Sequence, residues 1–205
     1  MLDMDGTVLD LAFDNFMWLH HVPEQFAEAR GMAPDEARRQ LYAKFEEMLG
    51  QLEWYCLDHW SEFLGLDVAR LHREQHHRIG YLPGAEDFLQ RVTRHELRLL
   101  LVTNSHLEVL EIKHEATGIK AHFDAIHSSH EFGAPKESQE FWHALQQAEG
   151  FDPATTLFID DTRRVLDSAA KFGIEQLVEV THPDTSAPKR EQGDYTTVEG
   201  LKDLL

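Results

Sequence analysis

Leu2-Asp3-Met4-Asp5-Gly6-Thr7 puts two carboxylates two residues apart, followed at once by a glycine and a threonine. This spacing suits phosphoryl transfer through an aspartyl-phosphate. A carboxylate is a weak nucleophile, and it becomes competent once a metal and cations shield the phosphate it attacks. The second carboxylate can protonate the leaving oxygen and later activate water. Gly6 lets the chain turn sharply on leaving a strand, because glycine tolerates positive φ. Calcium loops and ordinary turns use Asp-x-Asp-Gly as well, so the stretch alone leaves an acidic surface loop open.

Three segments further along narrow the choice. Leu99-Leu100-Leu101-Val102-Thr103-Asn104-Ser105 is an apolar run ending in small hydroxyl and amide residues. Gly133-Ala134-Pro135-Lys136-Glu137-Ser138 places a lysine just after a Gly/Pro loop, and Leu157-Phe158-Ile159-Asp160-Asp161-Thr162 ends a buried-strand pattern in paired acids. The apolar runs predict strands at 97–102, 125–128, 155–159 and 174–180, with Arg98 the exception within the first. Helical patterns fall between them at 84–94, 107–116, 137–147 and 163–171. Strand alternating with helix implies an α/β fold, a parallel sheet covered by helices on both faces. In such sheets ligands bind at the carboxyl ends of the strands, and all four segments sit at or just after predicted strand ends.

Asp-x-Asp-Gly-Thr, then Thr, then Lys, then Asp-Asp, in that order, resembles the haloacid dehalogenase (HAD) superfamily over essentially the whole chain. The resemblance implies a Rossmann-like parallel-sheet core with an inserted all-helical cap. Residues 13–79 fit such a C1-type cap: they hold no strand-like run and are rich in Glu, Ala, Arg, Leu and aromatics. Helices are predicted at 16–29, 34–49, 53–64 and 68–78, the second opened by Pro34-Asp35-Glu36 with its acids near the positive end of the helix dipole. Leu82-Pro83-Gly84 marks the return, so residues 1–12 and 80–205 form the expected catalytic core. One departure stands out. Only Met1 and Leu2 precede Asp3, whereas a central strand needs about five residues. The reading favoured is a start downstream of the natural one, with a simply short strand as the alternative.

The resemblance also implies roles. Asp3 is the nucleophile and a ligand of Mg²⁺, and Asp5 is the general acid and then base, its backbone carbonyl a second metal ligand. Asp160 and Asp161 complete the metal site. The family more usually has glycine first in that pair, so Asp161 matches the ligand better and Asp160 either ligates or supports from behind. Thr103 and the amide of Asn104 hydrogen-bond the phosphoryl oxygens, while Lys136 neutralises charge and steadies Asp3. In isolation Thr103 would read as a strand-end cap, Lys136 as a surface charge and Asp167 as a solvated helix residue.

Composition sets outer limits. The chain has 205 residues, 42% of them hydrophobic, enough for one sizeable domain or a core plus a modest insert. A net charge of −18 argues against a nucleic-acid polymer as partner and leaves a small phosphorylated metabolite open. The single cysteine, Cys56, excludes a disulfide framework and fits a reducing cytoplasm. Neither a membrane-spanning run nor a signal peptide is expected, and a monomer is the default. None of the 14 histidines makes a zinc motif such as His-Glu-x-x-His, so most read as exposed helix residues. Cys56, beside Trp54, Tyr55 and Trp60, reads as part of a helix core. That aromatic cluster reads first as packing, with a base-stacking wall as the alternative.

Motifs fix the reaction and the cap chooses the substrate. Residues 2–15, the stretch Leu52-Glu53-Trp54-Tyr55-Cys56-Leu57-Asp58-His59-Trp60 and Phe132 to Glu137 are similar to purine 5′-nucleotidases of the HAD superfamily. This implies hydrolysis of purine nucleoside 5′-monophosphates such as GMP and IMP. The alternatives are a phosphatase or phosphomutase for another small metabolite (phosphoglycolate or a sugar phosphate) and a non-enzymatic HAD-like binding protein.

Overall fold

A computed structural model of the chain describes residues 1–95 and 97–205. Its strands are β1 (Leu100–Thr103), β2 (Ala125–Ser128), β3 (Leu157–Asp160), β4 (Gln176–Val180) and β5 (Thr196–Val198). Each pairing is parallel: β1 with β2, β3 with β4, and β4 with β5. Leu2 bridges Leu101 on one side and Ile159 on the other, both in parallel. The sheet therefore runs β2, β1, residues 1–3, β3, β4, β5, and the opening motif leaves from its centre. The short central strand is held on both edges: Leu2 N–H donates to the Leu100 carbonyl and Asp3 N–H to that of Ile159, each at 2.9 Å.

Alternation along the strands sends side chains to two separate cores. Leu101, Ile159 and Leu2 pack on one face with Leu89 and Leu110. Leu100, Val102 and Phe158 pack on the other with Phe141, Trp142 and Leu166. The predicted parallel sheet with helices on both faces is what forms. The first strand begins at Leu100 rather than at 97, because Leu97 is exposed and Arg98 turns out to bond the Glu149 carbonyl. β5 had no counterpart in the sequence reading; three residues carry no readable period.

Residues 12–78 contain no strand among those described. Ala12–Phe16, the π-helical turn Met17–His21 and Val22–Arg30 run on without a break, followed by Pro34–Met48, Leu57–Leu64 and Val68–Glu74. They bury a third cluster of their own, with Phe13, Met17, Leu41, Phe45, Trp60 and Leu71 at its heart and Val109 reaching in from the helix Leu107–Thr117. The helix predicted over 53–64 is broken: Leu52–Tyr55 is a short 3₁₀ turn, and Cys56 is extended and half-buried (φ −89°, ψ 113°), not part of a helix core.

This helical segment joins the sheet through two adjacent stretches. Leu9 bridges Tyr81 in antiparallel fashion, Leu82 N–H donates to the Val8 carbonyl at 3.0 Å, and Asp10 N–H donates to that of Gly80 at 2.9 Å. No helix among the described residues is long and apolar enough to cross a membrane.

Candidate active site

Asp3, Thr103, Lys136, Asp160 and Asp161 meet at the carboxyl ends of β1, β3 and the short central strand, and all five are buried. Lys136 Nζ lies at their centre. It donates to Asp3 Oδ1, to Asp160 Oδ2 at 2.8 Å and to the Val102 carbonyl at 3.1 Å, which uses its three protons. The oxygens of Asp3, Asp160 and Asp161 lie within 4.8 Å of one another. Burial drives the Asp3 carboxyl up to about 8 against the pull of Lys136, and drives Asp160 and Asp161 up to about 6. Asp160 and Asp3 hold the Lys136 ammonium above its ordinary range, outweighing its burial. Three carboxylates face two cations, Lys136 and Arg190, which leaves the cluster one positive charge short.

The donor set is hard oxygen, anionic and buried, which fits Mg²⁺. Asp160 already accepts from Lys136 and, at 2.8 Å, from Thr162 N–H. Asp161 accepts from Thr162 Oγ1 at 3.1 Å and from Arg190 at 3.0 Å.

Gly6 makes this approach possible. Its φ is +90°, and a Cβ there would stand 2.7 Å from Asp161 Cγ. Any side chain would meet both strained backbone and the acid behind it.

Loop residues supply the rest. Thr103 Oγ1 accepts from Ser105 N–H at 3.0 Å. The Asn104 side chain faces away from the acids: its Oδ1 accepts from Lys136 N–H at 2.9 Å, and its Nδ2 donates to Glu137 at 3.0 Å. It positions the lysine loop. Tyr55 donates to the other Glu137 oxygen at 2.7 Å, tying the helical segment to that loop.

Asp5 is held by a different set of partners. Ser105 Oγ donates to its Oδ2 and Lys113 Nζ to its Oδ1, both at 2.6 Å. Lys113 is buried and also holds Asp14, at 2.8 and 2.9 Å. Burial lifts the Asp14 carboxyl to about 7.

Sequence reasoning missed Ser105, Lys113, Asp14 and Arg190. Lys113 had a signal, since a lysine in the apolar stripe of Val109, Leu110 and Ile112 needs a buried partner. Arg190 lies in an irregular stretch, far from any motif, and offered none. Asp167 accepts from the Tyr195 hydroxyl at 2.5 Å, outside the site.

A cavity of about 320 Å³ opens above the acids. Asp3, Asp5, Lys136 and Asp161 form its floor, and Trp18, Phe45, Trp54 and Trp60 form an aromatic wall from the helical segment. Trp18 sits in the π-helical turn, a feature frequent at functional sites. These rings also pack on one another: Phe45 lies 4.9 Å from Trp54 and 5.1 Å from Trp60, nearly perpendicular to each. The Trp54–Trp60 cluster thus packs as expected, and both rings also line the cavity. His72 is buried against this wall with Nδ1 2.8 Å from the Val68 carbonyl.

Comparison with known proteins follows this geometry. The haloacid dehalogenase-like hydrolase family model matches residues 1–178. The GMP/IMP nucleotidase YrfG of Escherichia coli is 40% identical over 205 residues, all of this chain and 92% of that protein. The pyrimidine 5′-nucleotidase YjjG of Escherichia coli is 27% identical over 117 residues, 55% of this chain and 52% of its own length. A HAD phosphatase from Thermococcus onnurineus has the same fold, with a TM-score of 0.81 at 19% identity, covering 99% of this chain and 94% of the other. The HAD-hydrolase YfnB from Bacillus subtilis, solved bound to magnesium, reaches a TM-score of 0.72 at 17% identity, over 99% and 94% of the two chains.

Proposed function

Because the chain belongs to the haloacid dehalogenase-like hydrolases, we propose that it is a Mg²⁺-dependent purine nucleoside 5′-monophosphate phosphatase working through an aspartyl-phosphate. The observation that carries the chemistry is Lys136 joined to both Asp3 and Asp160 beneath an open cavity, with Asp161 alongside. Identity of 40% along the full chain to a GMP/IMP nucleotidase supports the substrate class.

Asp3, Asp161 and the backbone carbonyl of Asp5 would hold Mg²⁺, with Asp160 behind them. Once bound, the ion screens the phosphate charge and so removes the repulsion between the ester and the acids. An Asp3 oxygen then attacks phosphorus, forming the acyl-phosphate bond as the bond to the nucleoside 5′-oxygen breaks. Asp5 gives that oxygen its proton. In the second half, Asp5 takes a proton from water, whose oxygen attacks the phosphorus of the acyl phosphate. Phosphate leaves and the Asp3 carboxylate is restored. Ser105 and Lys113 fix the plane of the Asp5 carboxyl for both transfers, making Lys113 a positioning residue. Thr103, the Asn104 backbone N–H and Lys136 stabilise charge on the phosphoryl oxygens. Residues 13–79 act as the cap and residues 1–12 and 80–205 as the catalytic core, with the aromatic wall receiving the purine.

Phosphate release from GMP, IMP, AMP, UMP, phosphoglycolate and a hexose phosphate, with Mg²⁺ or with EDTA, tests the reading. GMP and IMP are expected to lead, with EDTA abolishing release. A different leading ester would retain the chemistry and discard the nucleotidase, and release unaffected by EDTA would discard the metal.

A further inference from the structure

Cys56, His106 and His130 converge beside the cavity, each able to offer one ligand atom within 4.8 Å of the others. They come from different parts of the fold. Cys56 is the extended link between the turn Leu52–Tyr55 and the helix Leu57–Leu64. His106 precedes the helix Leu107–Thr117 just past the end of β1, and His130 lies in Ser129–Phe132 just past the end of β2. One residue therefore belongs to the helical segment and two to the sheet core.

Both imidazoles have a nitrogen to spare. His106 Nδ1 and His130 Nε2 are buried with no hydrogen-bond partner among the described residues. A buried polar atom without a partner is uncommon and calls for a cause. The two rings sit 4.9 Å apart and nearly perpendicular, so they do not stack. Glu53 and Asp58 add negative charge nearby, with Asp58 Oδ2 3.9 Å from His106 Nε2.

We propose that Cys56, His106 and His130 form a second metal site, which takes Zn²⁺ across the seam between the helical segment and the sheet core. A thiolate and two imidazoles suit a borderline-soft ion, and the all-oxygen cluster around Asp3 does not compete for it on the same terms. Binding replaces the Cys56 S–H bond with an S–Zn bond and releases one proton to solvent. Three protein ligands leave a fourth position for water or the Asp58 carboxylate. Since Tyr55, Leu57 and His106 all line the cavity, zinc would fasten its helical wall to its floor.

The full-length chain, reduced with a phosphine, is titrated with Co²⁺ as an optical probe and then with Zn²⁺. The expected result is thiolate-to-cobalt charge-transfer absorption in the near ultraviolet, saturating at one ion per chain and erased by Zn²⁺. Cys56→Ser should abolish the band and weaken Zn²⁺ binding at least tenfold. His130→Gln should weaken it with the thiol intact, which covers a serine variant that fails to fold. Asp161→Asn should leave the band unchanged. No thiolate band in the wild-type chain, equal Zn²⁺ affinity in Cys56→Ser, or loss of the band in Asp161→Asn would each overturn the proposal.

Discussion

The floor and the wall of the cavity are built on opposite principles. The floor is polar and saturated: Lys136 spends every proton on Asp3, Asp160 and a carbonyl, and Lys113 does the same for Asp5 and Asp14. The wall is apolar, and its rings stabilise the helices with the same surfaces they show to the cavity. Each floor side chain answers to several fixed partners, so few changes keep its geometry. The wall answers mainly to volume, and volume-conserving apolar changes are tolerated in packed cores. On the proposed function, chemistry is thus confined to residues that cannot vary independently, and selectivity is left to residues that can.

Four measurements press on that contrast, beginning with the largest effect. Asp3→Asn removes the attacking oxygen while keeping the shape. Phosphate release should fall on the order of 10⁴-fold or more, with far-ultraviolet circular dichroism unchanged. An asparagine variant as active as wild type would remove the nucleophile from the floor. Lys113→Met frees Asp5 and strands Asp14 in a buried position. Turnover should drop about 100-fold with little change in KM, and the melting temperature should fall, because removing one partner of a buried pair leaves the other uncompensated. If KM rises and kcat holds, Lys113 belongs to binding instead.

On the wall, Trp18→Leu should raise KM for GMP about 20-fold, the scale of one lost base-stacking contact, and leave kcat within a factor of about two. Equal losses for GMP and a hexose phosphate would mean that the ring does not contact the base. The smallest effect concerns pH. Burial drives His72 down to about 4, so the folded protein keeps it neutral while the unfolded chain protonates near 6.5. Between those values the unfolded state holds more protons, so stability rises with pH and is lost as pH falls through that window. From pH 7 to 5.5 the loss is about 1 kcal/mol. Denaturant titrations of wild type and His72→Gln at the two values should differ by that amount, and parallel curves would remove His72 as the cause.

How much of this was written in the sequence follows the same divide. Thr103, Asp160 and Asp161 could be placed together because each ends a recognisable strand or follows it closely and a parallel sheet aligns those ends, whereas Asp3 and Lys136 were placed beside them by the family resemblance. Asp5 could be assigned for the same reason. What could not be read are the partners that hold them. Lys113 meets Asp5 across 108 positions and Arg190 meets Asp161 across 29, and no local period encodes such pairings. Nor could the bracing of the lysine loop by the Asn104 side chain be read, since it is set by Lys136 N–H and Glu137 rather than by the strand end. The break at Cys56 escaped for a third reason. The apolar spacing of 53–64 suits a helix, but docking Tyr55 onto Glu137 pulls the chain straight.

The paired stretches at Val8–Asp10 and Gly80–Leu82 have a consequence beyond this one enzyme. Because Leu9 and Tyr81 are ladder neighbours, the excursion between them starts and finishes within about 5.5 Å. Ends that close make an insertion site, where one excursion can be exchanged for another without disturbing the sheet. A lineage could therefore acquire a new substrate by recombination at a single locus, inheriting its nucleophile intact, instead of waiting for compatible point changes on both sides of the cavity.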